Sequence, residues 1–336
     1  MAEEKKAGPL PGIFQIIGIA ACAHATFMGL TYITGDIATS AIGALLAAIL
    51  LMVLVHFLCY WKAKKQRANS ESQNRTPEYT LAVLYGVLFI VLFVISFHYL
   101  FIDFSQKKKV QNNGLSKIEN IENIASAFEA AVQGKENTLR TEIQTALQFY
   151  LNAPAGQKGT YASDLSALLD THKPNYNLPD NDFKSHVESI IDARAKAERK
   201  KYYTEEIDDL NKKKDEYVLE AKEAFGNWKF TKIGYYFSDA DRFYSLYKGK
   251  VLAVMADFEY QPSTQDEIRL KDPLYSLKNA GGKNLILFAV ILMFVHIFIL
   301  APYRVTKRPT ISLITNRESY TNKDSLTEYL KQKNRS

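Results

Sequence analysis

Four stretches of the chain are apolar and carry no Asp, Glu, Lys or Arg: Ile13–Thr34, Ile37–Tyr60, Thr80–Ile102 and Leu285–Ala301. A bilayer core of ~30 Å takes about 20 residues of helix to cross, and an unpaired backbone polar group in lipid is costly, so such stretches are expected to cross as helices. Tyr303 and Lys283 flank the shortest stretch, where a ring can sit at the interface and an amine can snorkel. The mean hydropathy of −0.17 averages these stretches with a polar segment between the third and the fourth. The fold expected is an all-α membrane protein, with four transmembrane helices plus a helical extracytoplasmic domain inserted between helices 3 and 4.

Orientation follows from basic residues near the span ends. With the N-terminus inside, the inner side holds Lys5, Lys6, Lys62, Lys64, Lys65, Arg67, Arg75, Arg304, Lys307, Arg308 and Arg317. The outer side holds Lys107, Lys108, Lys109, Lys117, Arg269, Lys271, Lys278 and Lys283, all flanking a long segment, and the Gly35–Asp36 hairpin holds none. Long segments translocate largely regardless of charge, so the short loops decide. The organisation expected is a cytoplasmic N-tail (1–12), a transmembrane hairpin (13–60), a basic cytoplasmic loop (61–79) and span three (80–104). An extracytoplasmic domain (105–283), span four (284–302) and a basic cytoplasmic tail (303–336) follow. Both Asn-x-Ser/Thr sites, Asn74 and Asn334, fall on the inner side. The N-terminal apolar run runs well past "IAAC" (Ile19–Cys22), which speaks against processing there. Both cysteines, Cys22 and Cys59, lie within spans, so the domain is held without disulfides.

Within the spans, small residues recur at helical spacing: Ala21, Ala25 and Gly29 in span one, and Ser40, Gly43, Ala44, Ala47 and Ala48 in span two. Small residues let helix backbones approach in lipid, which marks this hairpin as the packed centre of the membrane part. Spans three and four are bulky nearly all round and are expected to face lipid. Four of the six histidines lie in spans, as His24, His56, His98 and His296. At 1.5 Å per residue, His56 lies ~10 Å inward of its span's centre and His98 ~12 Å outward, leaving only His24 and His296 near mid-membrane. One reading is a metal site or proton relay; the other is a set of histidines satisfied by nearby hydroxyls or carbonyls. No acidic residue lies in any span, and no inverted repeat is seen, which argues against a coupled transporter.

The domain reads as helix. Ser116 and Glu119 fit a capping box opening a helix with Ile118, Ile121, Ile124 and Phe128 on one face. Further helices are expected over about 136–152 and 162–171 on periodicity. The long breaker-free run Asp182–Trp228 is read as one helix, continuous or bent at the charged "ARAKAERKK". An aromatic-dense segment follows, with Trp228, Tyr235, Tyr236, Phe237, Tyr244 and Tyr247, and with Ser238 as its helix cap. These rings suit either a domain core or a partner interface. Asp272–Pro273 opens a last helix towards span four, with a hinge at Gly281–Gly282.

No phosphate loop, zinc-binding helix motif, Cys–His metal spacing or nucleophile elbow occurs, and the Asp239/Asp241 pair in "SDADR" fits the first turn of a helix as well as it fits a metal pair. The tail "RVTKRPTISLITNRES" is basic and hydroxyl-rich, with a short strand expected at "ISLIT", and suits lipid-surface or partner docking. The expectation is a protein without catalytic, cofactor or metal sites and without nucleic-acid binding. In layout the chain resembles the polytopic inner-membrane subunit of the Bacteroidota-type type VI secretion trans-envelope complex. The resemblance implies a bacterial inner-membrane scaffold with a periplasmic domain and envelope proteins as homo- or hetero-oligomeric partners. It carries over no functional residue. Two other classes fit the same layout: an extracytoplasmic sensor without its own transmitter, and a channel or membrane-bound enzyme.

Overall fold

The computed structural model describes residues 10–64, 76–263 and 268–306. Helix makes up 86% of these residues, and no strand occurs among them. The basic loop at 65–75, the tail strand at "ISLIT", Lys5, Lys6 and both Asn-x-Ser/Thr sites lie outside the described residues. In chain order the helices are α1 (Leu10–Thr34), α2 (Ile37–Lys64), α3 (Thr76–Phe101), α4 (Lys107–Asn152), α5 (Lys158–Leu169) and α6 (Asp180–Tyr202). They continue as α7 (Glu205–Gly226), α8 (Phe230–Val254), α9 (Pro273–Asn279), α10 (Gly282–Ile299) and α11 (Ala301–Val305). Four helices are long and apolar enough to cross a membrane: α1, α2, α10 and the one that begins as α3.

The described chain falls into two compact units. The first comprises 10–26, 43–96 and 286–306 of the described residues. Its core joins Ile19 and Cys22 of α1, Ala47, Leu51, Val55 and Leu58 of α2, Tyr85 and Leu92 of α3, and Ile299 of α10. The close approach here is at Gly18, where an added Cβ would lie 2.9 Å from the Val295 carbonyl oxygen and from the Ile299 backbone nitrogen. A side chain at that point would force the two backbones apart. His296 shares a hydrogen bond of 3.0 Å with the Tyr85 hydroxyl and meets the Phe89 ring edge-on at 4.4 Å. Near the ends of α2 and α10, Lys62 donates to the Tyr303 carbonyl, and the Tyr303 hydroxyl donates to Glu78 at 2.8 Å.

The second unit comprises 27–42 and the described residues of 97–285. Its axis is α4, against which α5, α6, α7 and α8 all pack. Along α4 the buried residues run Val110, Ile118, Ile121, Ile124, Phe128, Val132, Ile143, Leu147 and Tyr150, steps of three, four, eight and eleven that keep one face inward. Towards its far end α4 meets Leu165 and Leu169 of α5 and Phe183, Val187 and Ile191 of α6. Nearer its middle it meets Ile207 and Leu210 of α7 and Tyr247, Val251, Met255 and Phe258 of and after α8. Each fully buried Phe, Leu, Ile or Val contributes about 1.5–3 kcal/mol relative to exposure.

Three details differ from the sequence reading. No helix begins at Ser116 or near 136: α3 runs into α4 through a single π turn, Ile102–Gln106, so one helical run spans 77 residues from Thr76 to Asn152. Ser116 is buried instead, and its hydroxyl meets that of Ser263 at 3.1 Å. The long run to Trp228 is two helices, broken at Tyr203–Thr204, two residues beyond the charged stretch. Thr204 caps α7 by accepting from the Ile207 backbone, with Glu205, Glu206 and Asp208 in the first turn, where the helix dipole favours acids. Ser238 caps nothing, since α8 begins at Phe230. That start follows Trp228, whose φ of +51° ends α7 in a left-handed residue. The final helices match the reading: Pro273 opens α9 under an Asp272 cap, and Gly282 opens α10.

Candidate functional site: a juxtamembrane collar

The richest convergence of polar and aromatic side chains in the second unit lies where segments distant in sequence meet beside the span ends. The π turn after α3 carries Asp103. One of its carboxyl oxygens accepts from the indole N–H of Trp228 at 2.7 Å and, at the long limit of 3.5 Å, from the Tyr32 hydroxyl. Tyr32 is fully buried, so its hydroxyl needs a partner there. Its ring lies 6.4 Å from Trp228 and meets His98 edge-on at 6.5 Å. The Lys107 ammonium stands 5.1 Å over the indole, a cation–π position. π turns frequently mark functional positions in helices.

His98 is the second element. Its Nδ1 shares a hydrogen bond of 2.6 Å with the Ser276 hydroxyl, and its Nε2 one of 2.8 Å with the Leu270 carbonyl. Both ring nitrogens are thus engaged, and the ring ties α9 and its approach segment to the end of α3. Beside it the Asn284 amide donates to Ser105 at 3.0 Å.

The third element is backbone against backbone. Gly35 closes the α1–α2 hairpin at φ +70°, where a residue other than glycine is strained. Gly234 of α8 sits directly on it. A Cβ at Gly234 would overlap the Thr31 carbonyl oxygen and stand 3.2 Å from Gly35 Cα and 3.3 Å from the Tyr32 carbonyl oxygen. Phe27 and Phe230 meet edge to face at 6.4 Å along the same contact.

The sequence-selected residues distribute unevenly. Ala25, Gly29, Ser40, Ala44 and Ala47 are buried, Gly43 and Ala48 are half-buried, and Ala21 is exposed. His24 and His56 lie on exposed faces, while His98 and His296 are buried against hydroxyls, a carbonyl and rings. Among the described residues no group of three or more His, Cys, Asp and Glu stands within metal-binding reach. Of the aromatic segment, Tyr236, Phe237 and Tyr247 are core residues, Trp228 and Tyr244 are half-buried, and Tyr235 is half exposed. Burial, then the Glu220 carboxylate that accepts from its hydroxyl, pushes the Tyr236 phenol above its ordinary range. Burial likewise raises Tyr247 to about 12, with its hydroxyl donating to Asn211 at 2.8 Å.

Sequence reasoning selected neither Asp103 as an acceptor nor Gly18, Gly114 or Gly234 as contact points. Gly114 lies against the Phe225 ring, which a Cβ would overlap. No family model, curated protein or solved structure matches the chain.

Proposed function

We propose that the protein is a structural subunit of a multiprotein membrane-envelope assembly, without catalytic activity of its own. In this reading both termini are cytoplasmic and the domain is extracytoplasmic. The observation that carries the reading is the collar. Within the second unit the α1–α2 turn meets α8 through Gly35 and Gly234, the end of α3 and the π turn meet α9 and Trp228 through His98 and Asp103, and the start of α10 meets Ser105 through Asn284. A unit whose distant segments are tied together at several points suits a part that keeps its shape in a larger assembly. Its partners are other envelope proteins or further copies of the chain. Purification in mild detergent tests this: stable co-purification at fixed stoichiometry is expected, and recovery solely as an isolated monomer refutes it. Sidedness is tested separately by single-cysteine labelling at Lys108 in intact cells. Protection from an impermeant reagent there refutes the extracytoplasmic placement.

A second reading, an extracytoplasmic sensor, rests on a cavity of about 330 Å³ lined by residues that include Asn113, Ser116, Asn120, Tyr244 and Ser263. The Tyr244 hydroxyl is buried there without a hydrogen-bond partner among the described residues. Saturable binding of a small polar ligand, lost in Tyr244→Phe, is the result this reading requires.

A further inference from the structure

Three large apolar side chains lie exposed beside the collar: Phe104 at 68%, Tyr235 at 50% and Leu274 at 53%. Each has lysine at neighbouring helical positions. Lys107 and Lys108 follow Phe104 by three and four residues, and Lys232 precedes Tyr235 by three. Lys278 follows Leu274 by four along α9, and Lys271 stands just ahead of that helix. Each segment is tied to a span end by contacts already described: Phe104 by the π turn, Tyr235 by Gly234 on Gly35, and Leu274 by the bonds of Ser276 and Leu270 to His98.

Of the nearby acids, Asp239 meets the Tyr235 hydroxyl, and three others are engaged away from Lys107, Lys108, Lys271 and Lys278. Asp103 receives Trp228 and Tyr32, Asp272 caps α9 through the Leu274 N–H at 3.0 Å, and Glu220 receives Tyr236 and Lys232. Lys107, Lys108, Lys271 and Lys278 remain exposed to the surroundings. Exposed rings and a leucine interleaved with lysines, at the ends of spans, match the chemistry of a headgroup layer. There apolar groups enter the acyl boundary and amines reach lipid phosphates.

We propose that Phe104, Tyr235 and Leu274 with their flanking lysines form an interfacial collar that enters the leaflet facing the domain and selects anionic phospholipid. The inference rests on the spans crossing a bilayer. It needs neither the assembly reading nor a particular sidedness, so its failure and theirs are distinguishable.

The test uses the full chain in neutral detergent, offered equal amounts of phosphatidylglycerol and phosphatidylcholine with the same acyl chains. Retained lipid is counted by native mass spectrometry. Each lysine beside an anionic surface contributes roughly fivefold at low salt, so phosphatidylglycerol is expected in excess by about tenfold or more. The excess shrinks as salt rises. In the variant Lys107→Gln, Lys108→Gln, Lys271→Gln, Lys278→Gln the two lipids are retained equally, with circular dichroism and elution volume unchanged. If that variant does not fold, the pairs Lys107→Gln, Lys108→Gln and Lys271→Gln, Lys278→Gln are read separately, each lowering the excess. Thermal stabilisation by phosphatidylglycerol but not by inorganic phosphate identifies the lipid surface as the ligand. Equal retention by the unaltered protein, an excess that survives the lysine substitutions, or equal stabilisation by inorganic phosphate overturns the proposal.

Discussion

The contact of Gly234 with the hairpin turn makes a prediction whose sign decides it. Gly234 and Gly249 both lie inside α8. An alanine in a helix interior is favoured over glycine by about 0.8–1 kcal/mol, so Gly→Ala should stabilise wherever there is room. Gly249 has room, since nothing lies within 4 Å of an added Cβ. Gly234 has none: its three nearest neighbours, the Thr31 carbonyl oxygen, Gly35 Cα and the Tyr32 carbonyl oxygen, are all backbone and cannot rotate away. Overpacking costs about 1–3 kcal/mol, towards the upper end where backbone must move, leaving a net loss of ~1–2 kcal/mol after the propensity gain. For a unit of roughly 150–250 residues, 1 kcal/mol moves the midpoint by about 2–4 °C. Gly249→Ala is therefore expected to raise the apparent unfolding temperature in detergent by ~2–4 °C, and Gly234→Ala to lower it by about 2–8 °C. Unfolding of a membrane protein is commonly irreversible, so both are compared with the parent at one scan rate. A Gly234→Ala variant that gains as much as Gly249→Ala refutes the close packing of α8 on the hairpin.

Gly114→Ala should destabilise by ~1–3 kcal/mol through the Phe225 ring, and Phe225→Leu should restore part of the loss, because the obstacle is a side chain. Additive losses in the double variant would contradict that. Ser276→Ala leaves Nδ1 of buried His98 without its hydroxyl, at a cost of ~1–3 kcal/mol, and should speed proteolysis between α8 and α9. An unchanged cleavage rate would show that α9 is held by other contacts. Glu198 receives Lys201 at 2.8 Å and Arg194 at 2.9 Å, and the Lys201 bond first, with Arg194 adding to it against the opposing effect of burial, holds its carboxyl below the usual glutamate range. A carboxyl lowered on folding stabilises fully above its unfolded pKa, and that contribution is lost as pH falls through the folded value. Glu198→Gln should therefore flatten the acid side of the stability profile while leaving its shape above the carboxylate range unaltered. A parallel shift at every pH would refute the assignment.

The spans were legible because charge-free length is decisive in lipid, and the helical character of the domain because long stretches lack proline and glycine. The break in the run to Trp228 was also written in the chain: Thr204 followed by Glu205, Glu206 and Asp208 is a capping signal with acids at the helix start. The charged "ARAKAERKK" drew the reading to a place just ahead of the break, although charge on all faces is compatible with helix. The collar was not legible. Asp103 and Trp228 are 125 residues apart, and His98 and Ser276 are 178 apart. Neither pair carries a local pattern. Glycine is the extreme case: Gly114 and Gly234 matter for what stands opposite them, whereas Gly249 in the same helix as Gly234 meets nothing.

Packing groups the hairpin turn differently from hydropathy. Hydropathy begins the domain after span three and assigns the first hairpin to the membrane, but residues 27–42 group with 97–285. The grouping has a physical cause in mutual satisfaction. Buried Tyr32 reaches Asp103, Asp103 holds the Trp228 indole, and the left-handed turn at Trp228 leads directly into α8, which lays Gly234 on Gly35. Removing any one of the three segments leaves a buried polar group of another unpaired, or a backbone face uncovered. The hairpin turn is on this account part of the domain's own packing, and Gly29 and Ser40 near that turn are buried within the same unit.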